Sequence, residues 1–95
     1  GSEALVLVKP QFEVGRDRVG KGGVVRDGLA HRDAIASVIS AADSLGWNAQ
    51  GVVGSPITGP AGNHEYLLWL SELEPQQISD EKVQQVVQDT LESEG

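Results

Sequence analysis

Apolar and polar residues along the chain predict alternating strands and helices. Five consecutive apolar residues from Ala4 to Val8 predict a short strand buried on both faces, as in parallel sheets covered by helices. Lys9 follows directly, and Pro10 cannot donate a sheet hydrogen bond, so the strand should end at the lysine. Ligands bind at the carboxyl ends of such strands. A lysine there can also simply extend its ammonium group into water.

A long helix and a second strand should follow. Asp27 is a suitable N-cap, apolar residues then recur at three- and four-residue intervals, and Gly46 should end the helix. Residues 47–53 predict a strand whose polar positions suit the edge of a sheet. The apolar stripe of the helix comprises Ile35, Val38, Ile39, Ala42 and Leu45.

The third strand fixes a small α/β topology. Tyr66 to Leu70 are apolar on both faces, which favours a position inside the sheet. A strand-helix-strand unit makes the first two strands parallel, and the third should run antiparallel between them. Its beginning would then meet the end of the first strand and bring Glu65 beside Lys9. The alternative is an ion pair without function, which at an exposed rim contributes about 0 to 1 kcal/mol.

The sequence predicts a main unit over residues 3–73, followed by a separate acidic tail over residues 74–95. Ser79 can cap a short amphipathic helix that packs on the domain or on a partner. Its apolar stripe comprises Val83, Val86, Val87, Thr90 and Leu91. From Glu72 onward the chain has seven acidic residues and one basic residue, Lys82, so this stretch carries −6 of the net charge of −7.

Basic residues concentrate in a loop rich in glycine. Residues 14–28 contain five glycines, which favours a mobile loop. A local basic field can attract phosphates even on an acidic chain, and a solvated loop of mixed charge is equally compatible with the sequence. Five of the seven basic residues lie between residues 16 and 32: Arg16, Arg18, Lys21, Arg26 and Arg32.

Composition excludes several classes of site. The chain has no cysteine, which excludes thiolate chemistry and disulfides, and two histidines are too few to favour a protein-built metal site. No apolar run approaches the roughly 20 residues of a membrane-spanning helix. Gly1 and Ser2 resemble the remnant of a cleaved expression tag. We therefore expect a cytoplasmic, soluble piece without a metal.

Three motifs in order resemble the TlyA family of FtsJ-like, S-adenosylmethionine-dependent rRNA ribose 2′-O-methyltransferases, historically named haemolysins. The motifs are Lys-Pro-Gln-Phe-Glu at 9–13, Val-Gly-Lys-Gly-Gly-Val-Val-Arg-Asp at 19–27 and Ser-Pro-Ile-Thr-Gly-Pro-Ala-Gly-Asn-His-Glu at 55–65. The resemblance covers nearly the whole chain up to Leu70. It implies the C-terminal part of a Rossmann-like methyltransferase fold, in which an antiparallel strand lies between the last two parallel strands.

The resemblance also implies site residues. The family uses a lysine, aspartate, lysine, glutamate tetrad around the target ribose hydroxyl. Lys9 matches the second lysine and Glu65 matches the closing glutamate, while the other two have no counterpart here. A charged Lys9 would hold the hydroxyl and Glu65 would orient the lysine. Arg16, Arg18, Lys21 and Arg26 would meet the RNA. The motif that binds the methyl donor precedes this region, so no cofactor-binding residue is expected in the chain.

The sequence thus predicts a fragment of an rRNA methyltransferase, acting on ribosomal subunits when complete and inactive alone. A pore-forming haemolysin is one alternative, but neither a spanning segment nor a cationic amphipathic helix supports it. A non-catalytic interaction module using the tail helix is another. The apolar first strand, lacking an outer neighbour, should make the fragment self-associate through its open edge.

Overall fold

A computed structural model of the chain describes residues 2–93 and contains a three-stranded sheet, three α-helices and three short 3-10 turns. The strands are β1 (Glu3–Val8), β2 (Asn48–Gly54) and β3 (Tyr66–Ser71). The helices are α1 (Pro10–Glu13), α2 (Gly28–Ser44) and α3 (Asp80–Glu92). The 3-10 turns are Arg16–Arg18, Lys21–Gly23 and Pro60–Gly62. None of the helices in residues 2–93 is long and apolar enough to span a membrane.

The strand order is β1-β3-β2, and β3 runs antiparallel to both neighbours. The two outer strands therefore point the same way, and the predicted order and directions are confirmed. β2 is an edge strand, as its polar residues indicated, and an irregularity shifts its register between Ala49 and Gly51. The segment before α3 runs along this edge, where the Ile78 amide donates to the Ala49 carbonyl over 2.9 Å.

One face of the sheet packs against α2 and α3 to form the core. Alternate residues of each strand point to this face because side chains alternate along a strand. The buried core comprises Val8, Ala34, Ile35, Ala42, Ala49, Val52, Tyr66, Leu68, Leu70, Val83 and Val87. The tail helix thus packs on the domain through Val83 and Val87, and the hydroxyl of Ser79 accepts a hydrogen bond from the Lys82 amide at its start.

The prediction that β1 is buried on both faces is wrong. Leu5 is 67% exposed and Leu7 is 43% exposed, and on the same face Val53 and Trp69 are also exposed. No element within residues 2–93 covers this side of the sheet, since both long helices pack on the other side. We call the surface formed by Leu5, Leu7, Val53 and Trp69 the open face.

Helix α2 begins as predicted and packs the predicted stripe against the core, except for Leu45: Ile35 and Ala42 are buried, and Val38 and Ile39 are partly buried. The side chain of Asp27 caps it by accepting a hydrogen bond from the Leu29 amide, and Gly46 ends it with a φ of 87°. Leu45, expected in the core, is 76% exposed because it is the C-cap, beyond the last full turn. The first turns also bury Ala30, His31 and Ala34.

Candidate functional site

The sheet register brings Lys9 and Glu65 to the same rim. Val8, the last residue of β1, lies opposite Tyr66, the first residue of β3. Lys9 and Glu65 are the next residues outward on their two chains, so they stand side by side at one end of the sheet. This adjacency follows from the antiparallel pairing and agrees with the expectation from the sequence.

Glu65 is a buried carboxylate held by Gln11. It is 4% exposed, and its Oε2 accepts a hydrogen bond from the Gln11 Nε2 over 2.8 Å. The backbone of Gly59 also lies close to Oε2, and a Cβ added at Gly59 would overlap the carboxylate group. A larger residue at position 59 would therefore displace the Glu65 carboxylate, although the φ of −82° suits any residue.

Lys9 is partly exposed and is not paired with Glu65. Its carbonyl accepts hydrogen bonds from the amides of Phe12 and Glu13 and so starts α1. Its Nζ lies 5.8 Å from the centroid of the Phe12 ring. The ion pairs found in residues 2–93 all involve Arg18 or Arg32, so the expected contact in which Glu65 orients Lys9 is absent. The ammonium group remains available at the rim.

Asn63 ties the glycine-rich loop to the loop that carries Glu65. Its Oδ1 accepts from the Val25 amide over 2.9 Å, and its Nδ2 donates to the carbonyls of Gly23 and Pro60 over 2.8 Å and 3.1 Å. Asn63 is 1% exposed. Three hydrogen bonds of one buried amide thus anchor a loop that the glycine content alone describes as mobile.

A second buried contact lies beneath the same loops. The Nε2 of His31 lies 2.7 Å from the Val25 carbonyl, which can only accept, so this nitrogen donates. In the neutral ring Nδ1 is then an acceptor, and it lies 2.9 Å from the Tyr66 hydroxyl, which donates to it. The rings meet edge to face with centroids 5.6 Å apart. Tyr66 directly follows Glu65, so this network fixes the backbone at the rim.

Tyr66 should make the fold sensitive to alkali. Burial raises the pKa of its phenol well above the ordinary value, and a hydrogen bond with Thr90 opposes this only in part. The unfolded phenol loses its proton near pH 10 while the folded phenol keeps it. The free energy of unfolding should therefore fall above pH 10 by about 1.4 kcal/mol per pH unit from this group.

The chain has one tyrosine, so phenolate absorbance reports on Tyr66 alone. Under native conditions this absorbance should rise only as the chain unfolds. In denaturant it should rise near pH 10. Urea unfolding measures the free energy of unfolding at each pH. In Tyr66→Phe this free energy should not show the decrease above pH 10 that the phenol causes in the wild type. A phenolate signal that titrates near pH 10 in the folded chain would contradict the buried hydrogen bond.

The four basic residues expected to meet RNA differ in their surroundings. Arg16, Lys21 and Arg26 are exposed. Arg18 instead binds Asp33 with Nη1 to Oδ2 at 2.7 Å and lies 3.7 Å from Asp27. Its hydrogen bond lowers the pKa of the Asp33 carboxyl, and the same bond raises the pKa of Arg18. Arg18 therefore braces the loop against α2, and three cations face solvent.

Sequence reasoning missed three residues that shape the rim, namely Gln11, Gly59 and Asn63. Each lies inside a motif that the sequence analysis quoted, within 9–13 or 55–65. The motifs thus contained the signal, but contacts across 54 residues, such as that of Gln11 with Glu65, depend on the register of β1 and β3.

The fold and the rim define an α/β domain with a lysine and a buried glutamate at one end of the sheet. Asn63 ties the loop with the exposed cations to the loop that carries the glutamate. The chain belongs to the FtsJ-like methyltransferase family, whose family model matches residues 2–72. This match confirms the resemblance found in the sequence.

Individual relatives agree. The chain is 49% identical over 69 residues to the 16S/23S rRNA (cytidine-2′-O)-methyltransferase TlyA of Mycobacterium tuberculosis, covering 73% of this chain and 26% of that protein. It is 44% identical over 93 residues to YqxC of Bacillus subtilis, named as a candidate rRNA methyltransferase, covering 94% and 33%. A solved structure of a candidate hemolysin from Streptococcus thermophilus superimposes with a TM-score of 0.86 at 34% identity, covering 97% and 34%. The chain spans about a quarter to a third of these relatives.

Proposed function

We propose that the chain is the C-terminal part of the catalytic domain of an S-adenosylmethionine-dependent rRNA ribose 2′-O-methyltransferase with a Rossmann-like fold. The observation that carries the proposal is the placement of Lys9 and the buried Glu65 side by side on the sheet rim. Both residues lie within the stretch that matches the FtsJ-like family. An rRNA substrate also places the enzyme in the cytoplasm with the ribosome.

The chemistry requires groups that hold a weak nucleophile. A ribose hydroxyl attacks the donor methyl group only when it is aligned and its proton can leave. In our proposal the Lys9 ammonium donates a hydrogen bond to the hydroxyl oxygen, and Glu65 supplies the negative field at the rim. The hydroxyl proton would pass to a base that we assign to the rest of the longer protein. One ammonium and one carboxylate suit a sugar hydroxyl. S-adenosylmethionine would supply the methyl group, and we assign its binding to the rest of the longer protein.

The open face supports the reading of the chain as part of a larger domain. Leu5, Leu7, Val53 and Trp69 form a contiguous exposed apolar surface next to the unpaired edge of β1. Such surfaces mark sites covered by another element or chain. In the full-length enzyme the remaining part of the methyltransferase domain would cover this face and supply the missing lysine and aspartate.

Arg16, Lys21 and Arg26 should contribute to RNA affinity through phosphates. Replacing each with glutamine in the full-length enzyme should weaken binding to ribosomal RNA and reduce the dependence of log K on log salt concentration. The slope should decrease by about 0.7 to 0.9 for each phosphate that the variant no longer neutralises. Filter binding across a salt series measures it. Lys82→Gln, in α3, serves as the control, and an unchanged slope in all three variants would refute the role of the loop.

Methyl transfer from radiolabelled S-adenosylmethionine to ribosomal subunits tests the proposed function. The full-length protein should label RNA, and residues 1–95 alone should label none, because half of the tetrad lies elsewhere. Transfer by the isolated chain would refute the fragment interpretation.

The name Hemolysin A of a Brachyspira hyodysenteriae relative, 40% identical over 63 residues, suggests the rival function. Leakage of liposomes at micromolar concentrations of the chain would support that rival.

A further inference from the structure

Gln11 lies between the lysine motif and the buried glutamate. It is the second residue of α1, two positions after Lys9, and its Nε2 is 2.8 Å from Oε2 of Glu65. An ionised carboxylate can only accept a hydrogen bond, so the amide nitrogen must face Glu65. The orientation of the Gln11 amide is therefore fixed by the chemistry of its partner.

This orientation leaves the other end of the amide unused. The Oε1 of Gln11 is buried and has no hydrogen-bond partner within residues 2–93. Buried polar atoms in folded proteins nearly always have a partner. The side chain thus keeps its bond to Glu65 while its own oxygen is unsatisfied, so within residues 2–93 the bond to Glu65 is the hydrogen bond that the Gln11 amide makes.

The carboxylate in turn has little freedom. Gly59 approaches Oε2 so closely that a methyl group there would overlap the carboxylate, and the same oxygen accepts the hydrogen bond of Gln11. The Ser55 amide donates to the Glu65 carbonyl over 2.8 Å and holds the backbone. With no cation paired to Glu65 in the described part of the chain, the Gln11 amide is the polar group that sets its orientation.

We propose that Gln11 is a positioning residue for Glu65, holding its carboxylate at the rim beside Lys9. The inference rests on the proposed catalytic role of Glu65. It adds that this role depends on Gln11, which lies in α1. Lys9 is the N-cap of α1 and Gln11 is its second residue, so one short helix places both the lysine and the amide that orients the glutamate.

Gln11→Met in the full-length enzyme is the first test. Methionine keeps the length of the side chain and removes the hydrogen bond. We expect kcat for methyl transfer to fall by up to about 100-fold, since small misplacements of reacting groups cost this much. The KM for S-adenosylmethionine should stay unchanged. Gln85→Met is the matched control, because Gln85 makes a Gln-to-carboxylate bond of 2.8 Å with Asp89 on the exposed side of α3.

A double variant separates positioning from a general loss of structure. If Gln11 acts through Glu65, adding Gln11→Met to Glu65→Gln should lower kcat no further than Glu65→Gln alone. Independent, additive losses would overturn the inference. Should Glu65→Gln leave kcat unchanged, the proposed function of Glu65 fails and Gln11 fails with it. If Glu65→Gln is impaired and Gln11→Met is not, only the inference on Gln11 is wrong.

Gln11→Glu adds a readout that a purely structural role would not change. Two adjacent carboxylates repel each other when both are charged, but they share a proton when one is neutral. The rate of this variant relative to wild type should therefore rise as the pH is lowered, because the shared proton replaces the amide hydrogen. A constant ratio of the two rates across pH would contradict the positioning role.

Discussion

Lys9→Ala or Glu65→Ala in the full-length enzyme should lower kcat for methyl transfer by about 100- to 1,000-fold, the range typical of groups that stabilise the charge on a reacting oxygen. The Kd of S-adenosylmethionine should change little, because the two residues stand at the rim where the ribose hydroxyl would lie. Single-turnover transfer to ribosomal subunits gives the rate, and calorimetry gives donor affinity.

The same substitutions in the tail provide controls. Lys82→Ala and Glu81→Ala remove a lysine and a glutamate from the exposed first turn of α3. Neither should alter kcat. If Lys9→Ala and Glu65→Ala weakened donor binding as much as they slowed transfer, the pair would be structural.

The isolated chain should self-associate, as proposed from the open edge of β1. Its backbone groups on the outer side have no strand partner in residues 2–93, and the open face lies next to them. Such edges pair readily with further strands. Sedimentation velocity should therefore show an average mass that rises with concentration, although repulsion between the acidic tails opposes association.

Leu5→Lys should shift this equilibrium toward the monomer. Burial of a leucine contributes about 1.5 to 3 kcal/mol, so the Kd of association should rise at least about tenfold. Leu73→Lys is a control outside the strands at comparable exposure. A cooperatively folded monomer at every concentration would contradict the proposal.

The sequence was sufficient for the order of elements and for the placement of Lys9 and Glu65 on the same rim. Runs of apolar residues, helix caps and the right-handed crossover restrict a chain this short to very few topologies. The same runs did not reveal which face of β1 is covered. Val6 packs toward the core and Leu5 toward solvent, yet both are apolar, so only the position of the helices distinguishes them.

Buried polar contacts were harder to predict for a related reason. The sequence did not predict His31 as a core residue, because its burial depends on two partners outside its helix, Val25 and Tyr66, that bind its ring nitrogens. Gln11 was likewise hidden, because its partner is supplied by the register of two strands. Periodicity reports on apolar faces, whereas these contacts depend on three-dimensional pairing.

Mapping the methylated nucleotide in ribosomal RNA tests the proposed function most directly. RNA labelled by the full-length enzyme is digested to nucleosides and separated by mass spectrometry. The label should appear in a 2′-O-methylribose for the wild type and should be strongly reduced for Glu65→Ala. A label on a base, or equal ribose labelling by wild type and Glu65→Ala, would contradict the assignment of this rim to ribose 2′-O-methylation.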